Sequence, residues 1–241
     1  MVPVTVAVDS RAGDIHAVNE DRYVCERELQ VYAVLDGEVH DGHAAEVAAA
    51  MLRSHLHEHR DLLLGGSEGA SMALVEAVEE ANRAVFDASS GPRWRGCGTT
   101  LTCCAVSGTT LLVAHVGDSR LYHLHERSWR LVTRDHSLLE DMRRNGNEMG
   151  LSMNEVMAYH SNVITRALGF APTVVVDVSS VALSSGDLVL LCTDGAWRPF
   201  DSQLAGDPPP GLEVGTLLQK IFQRYTLAGE HDNATVLLLS F

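Results

Sequence analysis

"LVLLCTDGAW", residues 188–197, drives a run of apolar residues into an aspartate and a glycine. "VYAVLDGEVH" (31–40) has the same construction, and "GEHDNATVLLL" (229–239) carries it in reverse, with the aspartate ahead of the apolar run. Alone, any of these aspartates reads as a turn residue, since Asp followed by Gly or Asn is ordinary turn chemistry. Three of them have a further reading. Strands packed in one sandwich end at common rims, so Asp36, Asp194 and Asp232 can converge on a few ångströms of space. Uncompensated, their charges would repel and their pKa values would rise. Divalent cations remove that penalty, and an all-oxygen set selects Mg²⁺ or Mn²⁺ over zinc. Two more acidic segments join the pattern: "NEDRY", with Glu20 and Asp21 ahead of a strand, and "VGDSRLY", with Asp118 interrupting one.

The bulk of the chain suits such a site. Its 241 residues are 46% apolar and carry a formal net charge of −14. That charge argues against nucleic acid, which needs a basic surface to displace counterions. It suits bound cations, although surface acidity for solubility produces the same number. "MVPVTVAVDSRAGD" at the start has neither the basic opening nor the apolar stretch of a signal peptide. No segment approaches the roughly 18 apolar residues of a membrane span. The five cysteines are odd in number and lack C-x-x-C spacing. They read as small buried thiols in a cytoplasmic protein.

Strand signals fill the first forty residues. Two helical stretches follow over "AAEVAAAMLRSHLHEHRDLLL" and "ASMALVEAVEEANRAVFDA", the first with Val47, Met51, Leu52, His55 and Leu56 along one side. From Cys97 to His136 the chain reads as an antiparallel meander with turns at "SG" and "ERS". Residues 136–163 are polar and weakly periodic, the place for a flap. Strands resume over "TVVVDVSSVALSSGDLVLLCTDG", a helix covers "EVGTLLQKIFQRYT", and "NATVLLLSF" is a buried strand. With no repeat and no linker, this tally predicts one domain over 1–241, a β-sandwich covered by helices.

The ordered series "NEDRY", "VLDGEVHDGHAAEVA", "GCGTTLTCCAV", "VGDSRLYHL", "VTRDHSL", "VITRALG", "LLCTDGAW" and "HDNATVLLL" resembles the metal-dependent serine/threonine phosphatases of the protein phosphatase 2C family, in their compact bacterial form. The resemblance implies an α+β fold, a four-layer α-β-β-α sandwich of two antiparallel β-sheets flanked by helices. It implies two Mn²⁺ or Mg²⁺ ions, with Asp36 bridging, the Gly37 carbonyl on one ion, and Asp194 and Asp232 on the other. Glu20 and Asp21 would accept hydrogen bonds from metal-bound water, and Asp118 with Asp194 would serve a third ion. A water shared by the ions would attack phosphoserine or phosphothreonine directly, without a phosphoenzyme. The implied partners are phosphorylated proteins, opposed by a serine/threonine kinase, and the implied state is a monomer.

The chain departs from the family at two places. Where relatives place a phosphate-gripping arginine, this chain has His16; it is assigned to the substrate phosphate and to catalysis, with a packed loop histidine as the bland reading and Arg11 as a substitute. Where many relatives follow "DG" with a histidine, this chain has Glu38, a candidate general acid or metal ligand, with His40 behind it. Asp135 and His136 are expected to fix the base of the flap. His55 and His59, one turn apart, have the spacing of a transition-metal pair; with no third ligand visible, they read as an exposed helix face. Two rival readings keep the fold: a regulatory pseudophosphatase, and a hydrolase of a small phosphoester.

Overall fold

The computed structural model describes residues 4–14, 17–38, 42–145, 157, 162–200 and 213–241. Two antiparallel five-stranded sheets face each other. The first has the order β1 (Thr5–Arg11), β12 (Ala234–Ser240), β11 (Leu188–Cys192), β8 (Arg120–His125), β9 (Ser128–Leu131). The second runs β10 (Asp177–Ala182), β7 (Thr110–Val116), β6 (Leu101–Ser107), β3 (Val31–Leu35), β2 (Arg22–Glu26). A short ladder, β4 (Gly37–Glu38) with β5 (Gly98–Thr99), sits beside them. On the outside, α1 (His43–Glu58) and α3 (Ser67–Ala88) cover the second sheet, and the helix Val214–Ala228 covers the first. This is the four-layer α+β sandwich implied by the resemblance.

The layering explains why the diagnostic runs are continuously apolar. Successive strand residues point to opposite faces, and here both faces are covered. In β3, Val31, Ala33 and Leu35 meet the helices while Tyr32 and Val34 meet the other sheet. In β12, Val236 and Leu238 pack under the Val214–Ala228 helix, and Leu237 and Leu239 fill the space between the sheets. Each fully buried leucine of this kind contributes roughly 1.5–3 kcal/mol.

The structure differs from the sequence reading in four places. The stretch Cys97–His136 is not one meander. β6 and β7 belong to the second sheet and β8 and β9 to the first, so the chain changes sheets at Gly117–Ser119. Gly117 makes this possible: its φ is +110°, and a side chain there would collide with Thr100. The first helical stretch breaks at His59, leaving α1 and the short α2 (Arg60–Leu64). Its buried side is alanine-rich, with Ala44, Ala45, Ala48, Ala49, Leu52 and Leu56, while Met51 is exposed and Val47 half-buried. The histidine pair is not an exposed face either, since the His55 side chain is only 11% exposed. Finally, Thr173–Val176 forms no strand, and pairing with β7 begins at Asp177. Of the flap stretch, α4 (Leu138–Asn145) is described, while 146–156 and 158–161 lie outside the described residues.

Candidate active site

The sheet-crossing turn and the strand ends named above meet at one rim of the sandwich. Asp36 leaves β3 with its backbone clamped: its N–H donates to Thr100 Oγ1 (3.0 Å), and its carbonyl accepts from Thr100 N–H (2.9 Å) and Thr99 Oγ1 (2.8 Å). Thr100 Oγ1 shares a further hydrogen bond with Ser119 Oγ at 2.7 Å, which ties the Asp36 turn to the turn that carries Asp118.

Asp194 opens a one-turn helix, Asp194–Trp197, directly after β11. The threonine before it is a hub. Thr193 Oγ1 donates to Asp21 Oδ2 (2.8 Å) and accepts from Thr235 N–H (2.9 Å). On the other side, Asn233 Oδ1 accepts from Glu20 N–H at 2.7 Å, so the Asp232–Asn233 turn holds the Glu20–Asp21 segment. Gly195 lets the two turns touch; a Cβ there would run into the backbone carbonyl of Asn233.

The result is a cleft of about 370 Å³ whose walls include Glu20, Asp36, Gly37, Glu38, Asp194 and Asp232. Asp21 and Asp118 lie behind it, each 3% exposed. Burial is the leading cause of every carboxyl shift here. It pushes Asp21 and Glu38 up to about 7, and Asp36 and Asp118 well above the carboxylate range. Like charge adds to it: Asp194 acts on all four, and Asp21 on Asp36. Asp194 is raised too, against the opposing pull of Arg198.

Two buried oxygens, Asp21 Oδ1 and Asp118 Oδ1, have no hydrogen-bond partner among the described residues. Buried carboxylate oxygens are normally satisfied. Orphaned oxygens in an all-oxygen acidic cleft therefore fit hard divalent cations and their water. The carboxylates line the cleft without closing into a cage. Among the described residues, the groups whose ligand atoms all fall within 4.8 Å of one another are two histidine clusters elsewhere. Such openness suits Mg²⁺-type ions, which keep several water ligands and take few carboxylates.

The carboxylates singled out from sequence for the metal centre, and Glu38, thus lie in or against this cleft. His16 and His40 lie outside the described residues. Arg11 is engaged elsewhere, 3.1 Å from Asp9 and stacked 4.0 Å from the Phe222 ring, so it is no substitute phosphate ligand. His136 does brace the stretch after β9: its Nδ1 accepts from Gly117 N–H at 2.9 Å, and the next residue, Ser137, bridges Ile164. Asp135, by contrast, holds Arg120 in a bidentate pair at 2.9 and 2.7 Å.

Sequence reasoning missed Arg198, which enters the cleft and pairs with Asp194 four residues before it. The i, i+4 spacing from Asp194 was the available signal. It also missed Asn162 and Ile164, which line the cleft from the end of the flap stretch and just after it, and Trp197, whose Nε1 donates to the Asp118 carbonyl at 2.9 Å.

Comparison with known proteins agrees with this geometry. The family model described as Protein phosphatase 2C matches residues 15–207. Serine/threonine phosphatase stp of Listeria welshimeri is 34% identical over 199 residues, 81% of this chain and 77% of that protein. The serine/threonine phosphatase PstP/Ppp of Mycobacterium tuberculosis superposes with a TM-score of 0.83 at 27% identity, over 99% of this chain and 98% of that one. The catalytic domain of PstP in complex with two manganese ions gives 0.78 at 28% identity, over 98% and 97% of the two chains. An acidic cleft at the rim of a helix-covered double sheet, seen beside these likenesses, has one consistent meaning: the chain belongs to the protein phosphatase 2C family, a family of protein serine/threonine phosphatases.

Proposed function

We propose that this chain, acting as one catalytic domain, hydrolyses phosphoserine and phosphothreonine in proteins with the help of two Mn²⁺ or Mg²⁺ ions. The observation that carries this reading is the meeting of carboxylates from widely separated strand ends in one cleft, with buried oxygens of Asp21 and Asp118 behind it unsatisfied among the described residues. Asp36, the Gly37 carbonyl, Asp194 and Asp232 are the residues that would hold the pair, and Asp118 beside Asp194 would serve a third ion. Divalent ions held there would lower the pKa of water and so supply a nucleophile near neutral pH.

The chain's own residues do the rest. Asp21, through its Oδ1, and Glu20, in the cleft wall, would orient water. Arg198 brings positive charge into the cleft, and its planar guanidinium suits phosphate oxygens. His16, assigned from sequence alone, is a second phosphate contact. Glu38 sits in the cleft wall, where it can give a proton to the departing seryl or threonyl oxygen. The oxygen–phosphorus bond to water forms as the ester bond breaks, leaving the free hydroxyl and inorganic phosphate, and no residue is phosphorylated on the way. The five unpaired cysteines fit work in a reducing cytoplasm, where the chain would oppose a serine/threonine kinase.

The test is turnover of a phosphothreonine peptide with added manganese. We expect activity in the parent chain, loss on chelation, and a fall of at least about 100-fold in Asp194→Asn, as for removal of a principal electrostatic group. Activity that survives chelation, or an Asp194→Asn rate equal to that of the parent, overturns the reading.

A further inference from the structure

A second set of metal-type ligands lies on the helical layer, in a cavity of about 520 Å³ that shares no residue with the acidic cleft. His55, in the last turn of α1, is nearly buried, yet its Nε2 has no hydrogen-bond partner among the described residues. His59 follows one turn later, where α1 ends. Its Nδ1 lies 2.9 Å from the His55 carbonyl oxygen. A carbonyl only accepts, so Nδ1 carries the hydrogen and the neutral ring presents its lone pair on Nε2. A backbone carbonyl fixing one ring nitrogen while the other stays available is the usual support of a metal-bound histidine.

The third ligand, invisible in the local sequence, comes from α3. Glu76 Oε2 is 3.9 Å from His55 Nε2, too long for a hydrogen bond, and one ligand atom from each of the three residues falls within 4.8 Å of the others. Burial, and then the neighbouring His59, lower the His55 pKa, which keeps the imidazole in its neutral, ligating form. The two rings are stacked, with centroids 4.0 Å apart and planes 19° from parallel.

We propose that His55, His59 and Glu76 form a zinc-binding site that staples α1 to α3, with the fourth position left to water. Two imidazoles and one carboxylate are a borderline-soft set that favours Zn²⁺ over the Mg²⁺ or Mn²⁺ suited to the all-oxygen cleft. Glu80, one turn beyond Glu76 and lining the same cavity, is held by Arg83, so it does not complete the set as it stands. The other histidine cluster gives the contrast. His123 and His125 each bond an Asp187 oxygen at 2.9 Å, so that triad is already satisfied and needs no ion.

The experiment is a Zn²⁺ titration by calorimetry in excess Mg²⁺, on the parent chain, Glu76→Gln, His59→Gln and Asp194→Asn. We expect one zinc per chain in the parent and in Asp194→Asn, with affinity about tenfold or more weaker in Glu76→Gln and His59→Gln. Glu76 is half-exposed, so its variant folds regardless. Co²⁺ substituted under the same conditions should give the intense visible bands of a tetrahedral ion, lost in Glu76→Gln. Zinc affinity unchanged in both helix variants, zinc lost only in Asp194→Asn, or no zinc bound at all would each overturn the proposal.

Discussion

Replacing Arg120 with methionine probes what keeps the Asp118 and Asp194 turns in place. The guanidinium is 8% exposed and its partner Asp135 12% exposed. Beyond the bidentate pair it donates to Tyr122 Oη at 3.0 Å and lies 3.4 Å over the Trp197 ring, whose N–H holds the Asp118 carbonyl. Methionine fills similar volume but leaves the Asp135 carboxylate buried without its cation. Breaking a buried pair from one side costs about 3–5 kcal/mol. For a chain of this size the melting temperature should fall by about 6–20 °C. Removing both charges at once leaves nothing uncompensated, and a well-packed apolar replacement is often nearly neutral. Arg120→Met combined with Asp135→Leu should therefore recover at least about 2 kcal/mol of the sum of the single losses. Urea unfolding of the parent, both single variants and the double variant measures this cycle. A single-variant loss below about 1 kcal/mol, or a double variant that is simply additive, refutes the claim that this pair is dry and mutually compensating.

Other expectations follow from the same structure. Alanine at Gly195 drives a methyl group into the Asn233 carbonyl; it should destabilise the chain by about 1–3 kcal/mol and lower phosphatase turnover by parting the two turns, and parental values in both assays would show that the turns do not touch. The Asp187 carboxylate bonded to His125 holds that imidazole above its ordinary value. A raised native pKa stabilises fully below the unfolded value, about 6.5, and the gain disappears as pH rises through the native value. The melting temperature should decline across that window, and His125→Gln should abolish that part of the decline. Burial pushes the Cys103 thiol up to about 12 and the Cys104 thiol well above the usual range, whereas Cys25 is half-buried. A thiol reagent at pH 8 should label Cys25 in the native chain and the other four only after urea is added; rapid native labelling of Cys103 contradicts the layered core.

What the sequence disclosed and what it withheld divide along a physical line. Asp36, Asp194 and Asp232 were legible because a carboxylate beside a run of residues buried on both faces is conspicuous, and because strand ends in a sandwich share a rim. Arg120 was quoted within "GDSR" and passed over, and Glu76 within the second helix, since neither breaks its local pattern. A buried arginine is recognisable only when Asp135 and Trp197 are found around it, and Glu76 gains meaning only from the His55 nitrogen across the helix pair. The sheet change at Gly117 was hidden for a related reason. β6 to β9 have the local pattern of one meander, and nothing in the hydrophobic alternation says that the third strand joins the opposite sheet. Yet that change is what brings Asp118 to the rim. Had β8 simply continued the second sheet, it could not pair with β11, and the turn ahead of it would lose its tie to the end of the Asp194–Trp197 helix through Trp197. The positive φ of Gly117, the Thr100–Ser119 hydrogen bond and the Trp197 contact to Asp118 therefore act together: a backbone conformation that favours glycine makes the crossing, and the two contacts hold its carboxylate against the others.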